Sequence, residues 1–113
     1  MLTSGDVVDL DLGTPVGREA GFRHPAVVIT AQRILDNEPS VVHVVPLTTT
    51  IRRSGSEVQL LPDERNGLDA RSAAQCQHLR SVSSERVAAG RGNLGPVVLG
   101  QLREVVALLL DLA

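Results

Sequence analysis

The hydrophobic rhythm of this chain changes once, and the change limits what it can fold into. Through most of its length the apolar residues gather in short, valine-rich runs bounded by Gly, Pro, Asn and Asp, the pattern of strands and tight turns. From Val98 onward they recur three and four residues apart, at Val98, Leu102, Val105, Leu109 and Leu112, which places them on one face of a helix. Pro96 suits the first turn of that helix and Gly95 or Asn93 its entry, while Gly100 weakens it locally by about 1 kcal/mol. A chain of 113 residues has room for a single core, so residues 1–113 are read as one domain. The expected fold is mainly β with a C-terminal helix packed against a partly open antiparallel barrel.

Residues 5–12 alternate between apolar and acidic, as a half-exposed strand does, and Gly13 to His24 reads as a long loop. Residues 25–31 form an apolar run suited to a buried central strand, and Asp36-Asn37-Glu38-Pro39 has turn chemistry. Val41 to Leu47 is the strongest β segment. A turn at Arg52-Arg53-Ser54-Gly55 precedes an outer strand, Glu57 to Leu61, and Asn66-Gly67 marks a further turn. Ala73 to Val82 reads as one strand, Ser83 to Arg86 as a short helical turn, and Val87 to Ala89 as a last strand.

Phe22 is the only aromatic residue, so the core is built of Val, Leu, Ile and Ala. Small side chains bury little area each, and dimerisation is one way to add burial. A net charge of −2 and a pI near 5.8 argue against a coat protein that neutralises many phosphates. A local basic patch is still open to the chain. Every basic side chain besides histidine is arginine, whose planar donor fork matches phosphate and guanine. Cys76 is the only cysteine, which excludes an intrachain disulfide and suggests a half-buried strand position. His24, His43 and His78 lack clustered spacing, and no metal or other cofactor is expected. Neither a charged leader nor a spanning apolar run is seen, so the expected setting is soluble and cytoplasmic, away from membranes.

The order of segments resembles the MazF/PemK (Kid) toxins. The resemblance rests on Gly5-Asp6-Val7-Val8, Gly17-Arg18-Glu19, Pro25-Ala26-Val27-Val28-Ile29, Val45-Pro46-Leu47-Thr48-Thr49, Gly67-Leu68, Gln77-His78-Leu79-Arg80-Ser81 and the closing Leu110-Asp111-Leu112. It covers nearly the whole chain. It implies an SH3-like partly open antiparallel barrel of the MazF/PemK/CcdB type, a homodimer and a type II toxin. The implied activity is metal-independent, sequence-specific cleavage of single-stranded RNA, restrained by a cognate MazE-like antitoxin with an acidic tail. Alternatives are a non-catalytic module that binds RNA or antitoxin on the same barrel, and a CcdB-like gyrase poison. Thr48 favours the nuclease, because a protein inhibitor has no need of a hydroxyl there.

Cleavage of this kind uses the RNA's own 2′-hydroxyl and leaves a 2′,3′-cyclic phosphate and a 5′-hydroxyl. The protein takes one proton, gives another and stabilises charge on phosphorus. The resemblance assigns this work to an arginine just before the signature proline and to the first threonine after the second proline. Thr48 fills the latter place. The former holds His24, with Arg23 one residue earlier. Three readings stay open: His24 serves as acid/base, its imidazole being suited to proton transfer; the loop shifts so that Arg23 reaches the phosphate with His24 beside it, the two acting as a pair; or activity is reduced. Alternation along a strand argues against both side chains meeting one phosphate. The candidate catalytic set is therefore His24, Arg23 and Thr48. Glu19, Arg18, Phe22, Thr49, Arg52, Arg53 and His78 are candidate RNA contacts, Phe22 by stacking and the arginines through phosphate or guanine edges. His78 stands where relatives usually have glutamine, and Gln77 where they usually have an acid. His43, inside the valine run, reads as a core or edge histidine.

Overall fold

A computed structural model describes residues 1–12 and 23–112, with the side chain of Arg23 excepted. The strands are β1 (Asp6–Asp11), β2 (Arg23–Val28), β3 (Val41–Thr48), β4 (Glu57–Leu60), β5 (Ser72–Gln75), β6 (Arg80–Ser83) and β7 (Val87–Asn93). Helix α1 (Gln32–Leu35) follows β2, and α2 (Pro96–Leu109) closes the chain. Two 3-10 turns, Cys76–His78 and Ser84–Arg86, flank β6. The strands lie in the order β4-β5-β3-β2-β1-β7, with β6 also on β3, and every pairing is antiparallel. No described ladder joins β4 to β7, so the sheet stays open. None of the described helices is long and apolar enough to cross a membrane.

Alternation on the three central strands sorts the valines into two cores. Val7, Val27 and Val45 stand in register across β1, β2 and β3, and with Leu47 and Ala74 they meet Leu102 and Val106 of α2. Val8, Leu10, Ala26, Val28, Val42 and Val44 point to the other face, where Leu35 of α1 and Val82 of β6 cover part of them. Each fully buried side chain of this size contributes about 1.5–3 kcal/mol, and both faces need it because the chain has so few large residues.

The terminal helix begins where expected, with Pro96 in its first turn and Gly95 at its N-cap with φ 84°. Asn93 Oδ1 accepts the Gly95 N–H at 2.7 Å, and its Nδ2 donates to the Ser4 carbonyl at 3.1 Å and to Asp6 Oδ1 at 3.0 Å. One side chain thus ties the end of β7, the start of β1 and the helix entry together. Arg103 fastens the helix to the sheet by donating to Ser4 Oγ and the Ile29 carbonyl. The buried residues of α2 are Leu99, Leu102 and Val106, with Val98 and Val105 partly covered and Leu109 and Leu112 exposed. The expected face is therefore turned: a long apolar stripe has two candidate centres, and packing on Val45 and Leu47 selects one.

Two further expectations are corrected. Arg23 and His24 belong to β2 rather than to a loop, because Asp11 and Leu10 of β1 pair with them. Ala73 to Val82 is two strands broken by the 3-10 turn at Cys76–His78. β5 pairs with β3 through Leu47↔Ala74, and β6 pairs with the same strand through Val44↔Arg80. The register shifts by the three residues of the turn, which bulge opposite Val45 and Pro46. Proline in a central strand removes a ladder donor and is tolerated at such a break.

The segment before β5 is held to β7 by close backbone approach. Gly67, at φ 65°, lies against the Arg91 carbonyl, and a Cβ at Gly92 would overlap the Arg65 carbonyl oxygen. Asn66 is buried here. Its amide donates to the Leu61 carbonyl at 2.9 Å and its Oδ1 accepts from Leu68 N–H at 3.0 Å and Asp63 N–H at 3.2 Å.

Candidate active site on the partly covered face of the sheet

On the face away from α2, the aliphatic cover ends near the C-terminal half of β3. A cavity of about 320 Å³ opens there. Leu10, Val44 and Pro46 form its apolar floor with Leu12 beside them, and His24, Gln75, His78 and Arg80 supply its polar walls. The described lining holds Arg80 and two imidazoles but no carboxylate. That composition suits a phosphodiester even though the whole chain is acidic.

His24 stands opposite Leu10 in the β1–β2 ladder. The β2–β3 ladder ends at Ala26 opposite Pro46; His24 and Thr48 each lie two residues beyond that pair, where strand alternation puts them on the same side as Ala26 and Pro46. Residues opposite one another in an antiparallel pair share a face. His24 Nδ1 lies 3.1 Å from the Pro25 carbonyl oxygen, which only accepts, so this contact is a hydrogen bond in the tautomer that carries its proton on Nδ1 and leaves Nε2 for chemistry. Thr48 is half-buried two residues beyond Pro46, on the same side of β3, and is not itself among the residues that line the cavity. Its Oγ1 accepts the Thr50 N–H at 3.1 Å, which orients the hydroxyl and leaves its proton free to donate.

His78 sits on the 3-10 turn, exposed, and reaches the cavity from the side opposite β2. The turn is clamped. Cys76 N–H donates to the Ser56 carbonyl at 3.1 Å, and Leu79 N–H to the Cys76 carbonyl at 3.2 Å. Gln77 donates to Glu57 Oε2 at 2.7 Å and accepts from Ser56 Oγ at 3.1 Å, tying the turn to β4. Cys76 is fully buried within the turn rather than half-buried in a strand. Burial pushes its thiol up from 9.0 to about 11; its backbone hydrogen bond works in the lowering direction and the Glu57 charge adds to the rise. It is a packing residue.

The other candidates divide. Thr49, Arg52 and Arg53 are exposed on the segment after β3 and do not line the cavity; Arg53 has φ 53°. Arg23 opens β2 in register with Asp11, but its side chain lies outside the described part of the structure, as do Arg18, Glu19 and Phe22 entirely. His43 is exposed on a central strand, neither core nor edge, and away from the cavity. Arg80 and Gln75 were not among the candidates. Arg80 had a usable signal, since it stands two residues after His78 in the same motif. A larger cavity of about 420 Å³ on the same face runs between Met1, Leu2, Leu35 and Val42, and its charged side chains are Asp6 and Glu38. Two carboxylates repel a polyanion, so the smaller cavity is the better site for RNA. Among the described residues, no three His, Cys, Asp or Glu side chains are arranged to hold a metal ion.

Residues 3–110 match the family described as PemK-like, MazF-like toxin of type II toxin-antitoxin system. The chain belongs to this family. It is 32% identical to "Endoribonuclease MazF9" of Mycobacterium tuberculosis over 99% of this chain and 98% of that protein. Among solved structures it resembles the toxin MazF-mt6 of Mycobacterium tuberculosis, with a TM-score of 0.74 and 21% identity over 96% of this chain and 98% of the other. It also resembles the MazE-MazF structure (Form-II) from Deinococcus radiodurans, at TM-score 0.78 and 24% identity over 97% and 96% of the two chains. These two likenesses speak for the fold. The open antiparallel sheet with its terminal helix is that of the MazF toxins, and β2 and β3 carry the two proline-containing segments of the PemK-like pattern.

Proposed function

We propose that this toxin is an endoribonuclease that cuts single-stranded RNA at the His24–Thr48 end of the sheet without a metal ion. One observation carries the reading. Strand alternation beyond the Ala26–Pro46 pair puts the His24 ring and the Thr48 hydroxyl on one face, and His24 lines a cavity that holds an arginine and no described carboxylate, which supports this reading. His24 Nε2 exchanges a proton with the ribose 2′-hydroxyl or the leaving 5′-oxygen, and Thr48 Oγ1 donates to a non-bridging oxygen. Arg80 offsets the charge that builds on phosphorus. Arg23, adjoining His24, remains a candidate for the same phosphate. His78 contacts the RNA within the cavity, Thr49, Arg52 and Arg53 contact flanking nucleotides, and Arg18, Glu19 and Phe22 are assigned to the same RNA path. A MazE-like antitoxin with an acidic segment is the proposed restraining partner, suited to the cationic cavity, and the toxin works as a homodimer in the cytoplasm.

Primer extension on a long RNA treated with purified protein in EDTA tests the activity. Discrete stops at a recurring short motif are expected, with product ends that a kinase labels without prior phosphatase treatment, as 5′-hydroxyls require. Smooth full-length extension overturns the reading. Thr48→Ala, His24→Ala and Arg23→Ala, assayed separately, assign the roles; activity retained in both His24→Ala and Thr48→Ala moves the site elsewhere.

A further inference from the structure

In-line attack on phosphorus places the entering 2′-oxygen and the departing 5′-oxygen on opposite sides of the reacting atom. A base and an acid therefore act from two directions. The cavity supplies two titratable rings on two different walls. His24 comes from β2 and His78 from the turn between β5 and β6, and these segments lie on opposite sides of β3. Val44 and Pro46 form the floor between them. His78 is not a loosely tethered surface residue, because Cys76 is buried beneath its turn and Gln77 is hydrogen-bonded to β4 on the far side. A group held on a clamped element is held in the geometry that proton transfer needs. The remaining described lining offers nothing else for this purpose. β1 contributes Leu10 and Leu12, β3 Val44 and Pro46, β5 Gln75, and β6 Arg80, whose guanidinium stays protonated.

We propose that His78 is a catalytic residue and forms with His24 an acid–base imidazole pair across the cavity, an inference that rests on the nuclease reading above. One ring, neutral, takes the proton of the 2′-hydroxyl as the O2′–P bond forms. The other, protonated, gives its proton to O5′ as the P–O5′ bond breaks. The protein leaves the step with the two protonation states exchanged, and exchange with solvent restores them. Arg80 faces the phosphate between the rings and favours the negative phosphorane.

The test uses full-length protein and an RNA oligonucleotide carrying one mapped cleavage site, with kcat/KM followed against pH. Wild type should give a bell-shaped profile. His78→Gln should lower kcat by about 10²-fold or more and lose one limb, His24→Gln should lose the other, and both variants should unfold at the wild-type midpoint. A substrate with sulfur in place of the bridging 5′-oxygen has a leaving group that needs no proton. It should rescue the variant lacking the acid and leave the variant lacking the base impaired. The pair is overturned if His78→Gln keeps kcat within about threefold with both limbs intact, or if it raises KM alone. Should His24→Gln also be silent while wild type cleaves, the nuclease site assigned above falls as well. If His24→Gln is impaired and His78→Gln is silent, only the pair falls.

Discussion

The two faces of the sheet use the same valine-rich strands for opposite ends. Under α2, the odd-numbered residues Val7, Val27, Val45 and Leu47 are sealed by Leu102 and Val106. On the other side, the even-numbered set begins in the same way, with Val8, Ala26, Val28 and Val44 buried. It then runs on into His24, Pro46 and Thr48, beyond the aliphatic cover of Leu35 and Val82, where β6 contributes only the polar Arg80. A strand period of two thus lets one segment stabilise and react at once, and the difference lies in what covers each face. Stability should belong to the first face and chemistry to the uncovered end of the second.

The sharpest way to break that separation is to damage each face alone. His24→Ala should lower kcat/KM by about 10²–10⁴-fold with no change in the denaturation midpoint, since the ring is exposed. Leu102→Ala should do the reverse, costing about 2–5 kcal/mol of unfolding free energy while the folded fraction keeps its rate per molecule. A Leu102→Ala protein that is folded but inactive would show that the faces are coupled. Asn66→Ala comes next, at about 1–3 kcal/mol by urea titration, because buried backbone groups lose the amide that satisfies them.

A smaller effect is expected from Cys76. Its folded thiol value is raised, so the neutral form is favoured by folding. The contribution is fully present below pH 9.0 and drains away as pH rises towards about 11. The urea midpoint of wild type should fall across that window more steeply than that of Cys76→Ala, and a thiol reagent should label Cys76 only on unfolding. Smallest of all, Arg52→Ala and Arg53→Ala should each weaken RNA binding a few-fold irrespective of sequence. Each should also reduce the salt dependence by about one phosphate's share. A change in cleavage motif would instead mean that these residues read bases.

Much of the fold is legible in the residues because local period and turn chemistry agree with the tertiary structure. Val41 to Leu47 reads as β and is β3, Asn66-Gly67 reads as a turn, and Pro96 opens α2. The missed features are those settled by long-range contacts. Nothing local breaks Ala73 to Val82; the interruption comes from packing Cys76 under Leu102 and hydrogen-bonding Gln77 to Glu57. Leu99 displaces Val98 in the buried face of α2 because both fit a helical stripe and only the sheet beneath distinguishes them. For the site, Thr48 and His24 were reachable from ordered motifs. Arg80 carried a motif signal, standing two residues after His78, but nothing local says that its side chain shares a cavity with His24. Only the register of β6 on β3 brings it to the cavity.

The bulge between β5 and β6 has a consequence for how such a chain can vary. Beyond the packing of Cys76, the clamp of Gln77 and the ring of His78 its letters are open to change, but its length is not. Removing one residue would turn β6 over, sending Val82 to water and Ser81 into the aliphatic layer, and would carry the arginine out of the cleft. Substitution is therefore the open route to variation here, and insertion or deletion a closed one.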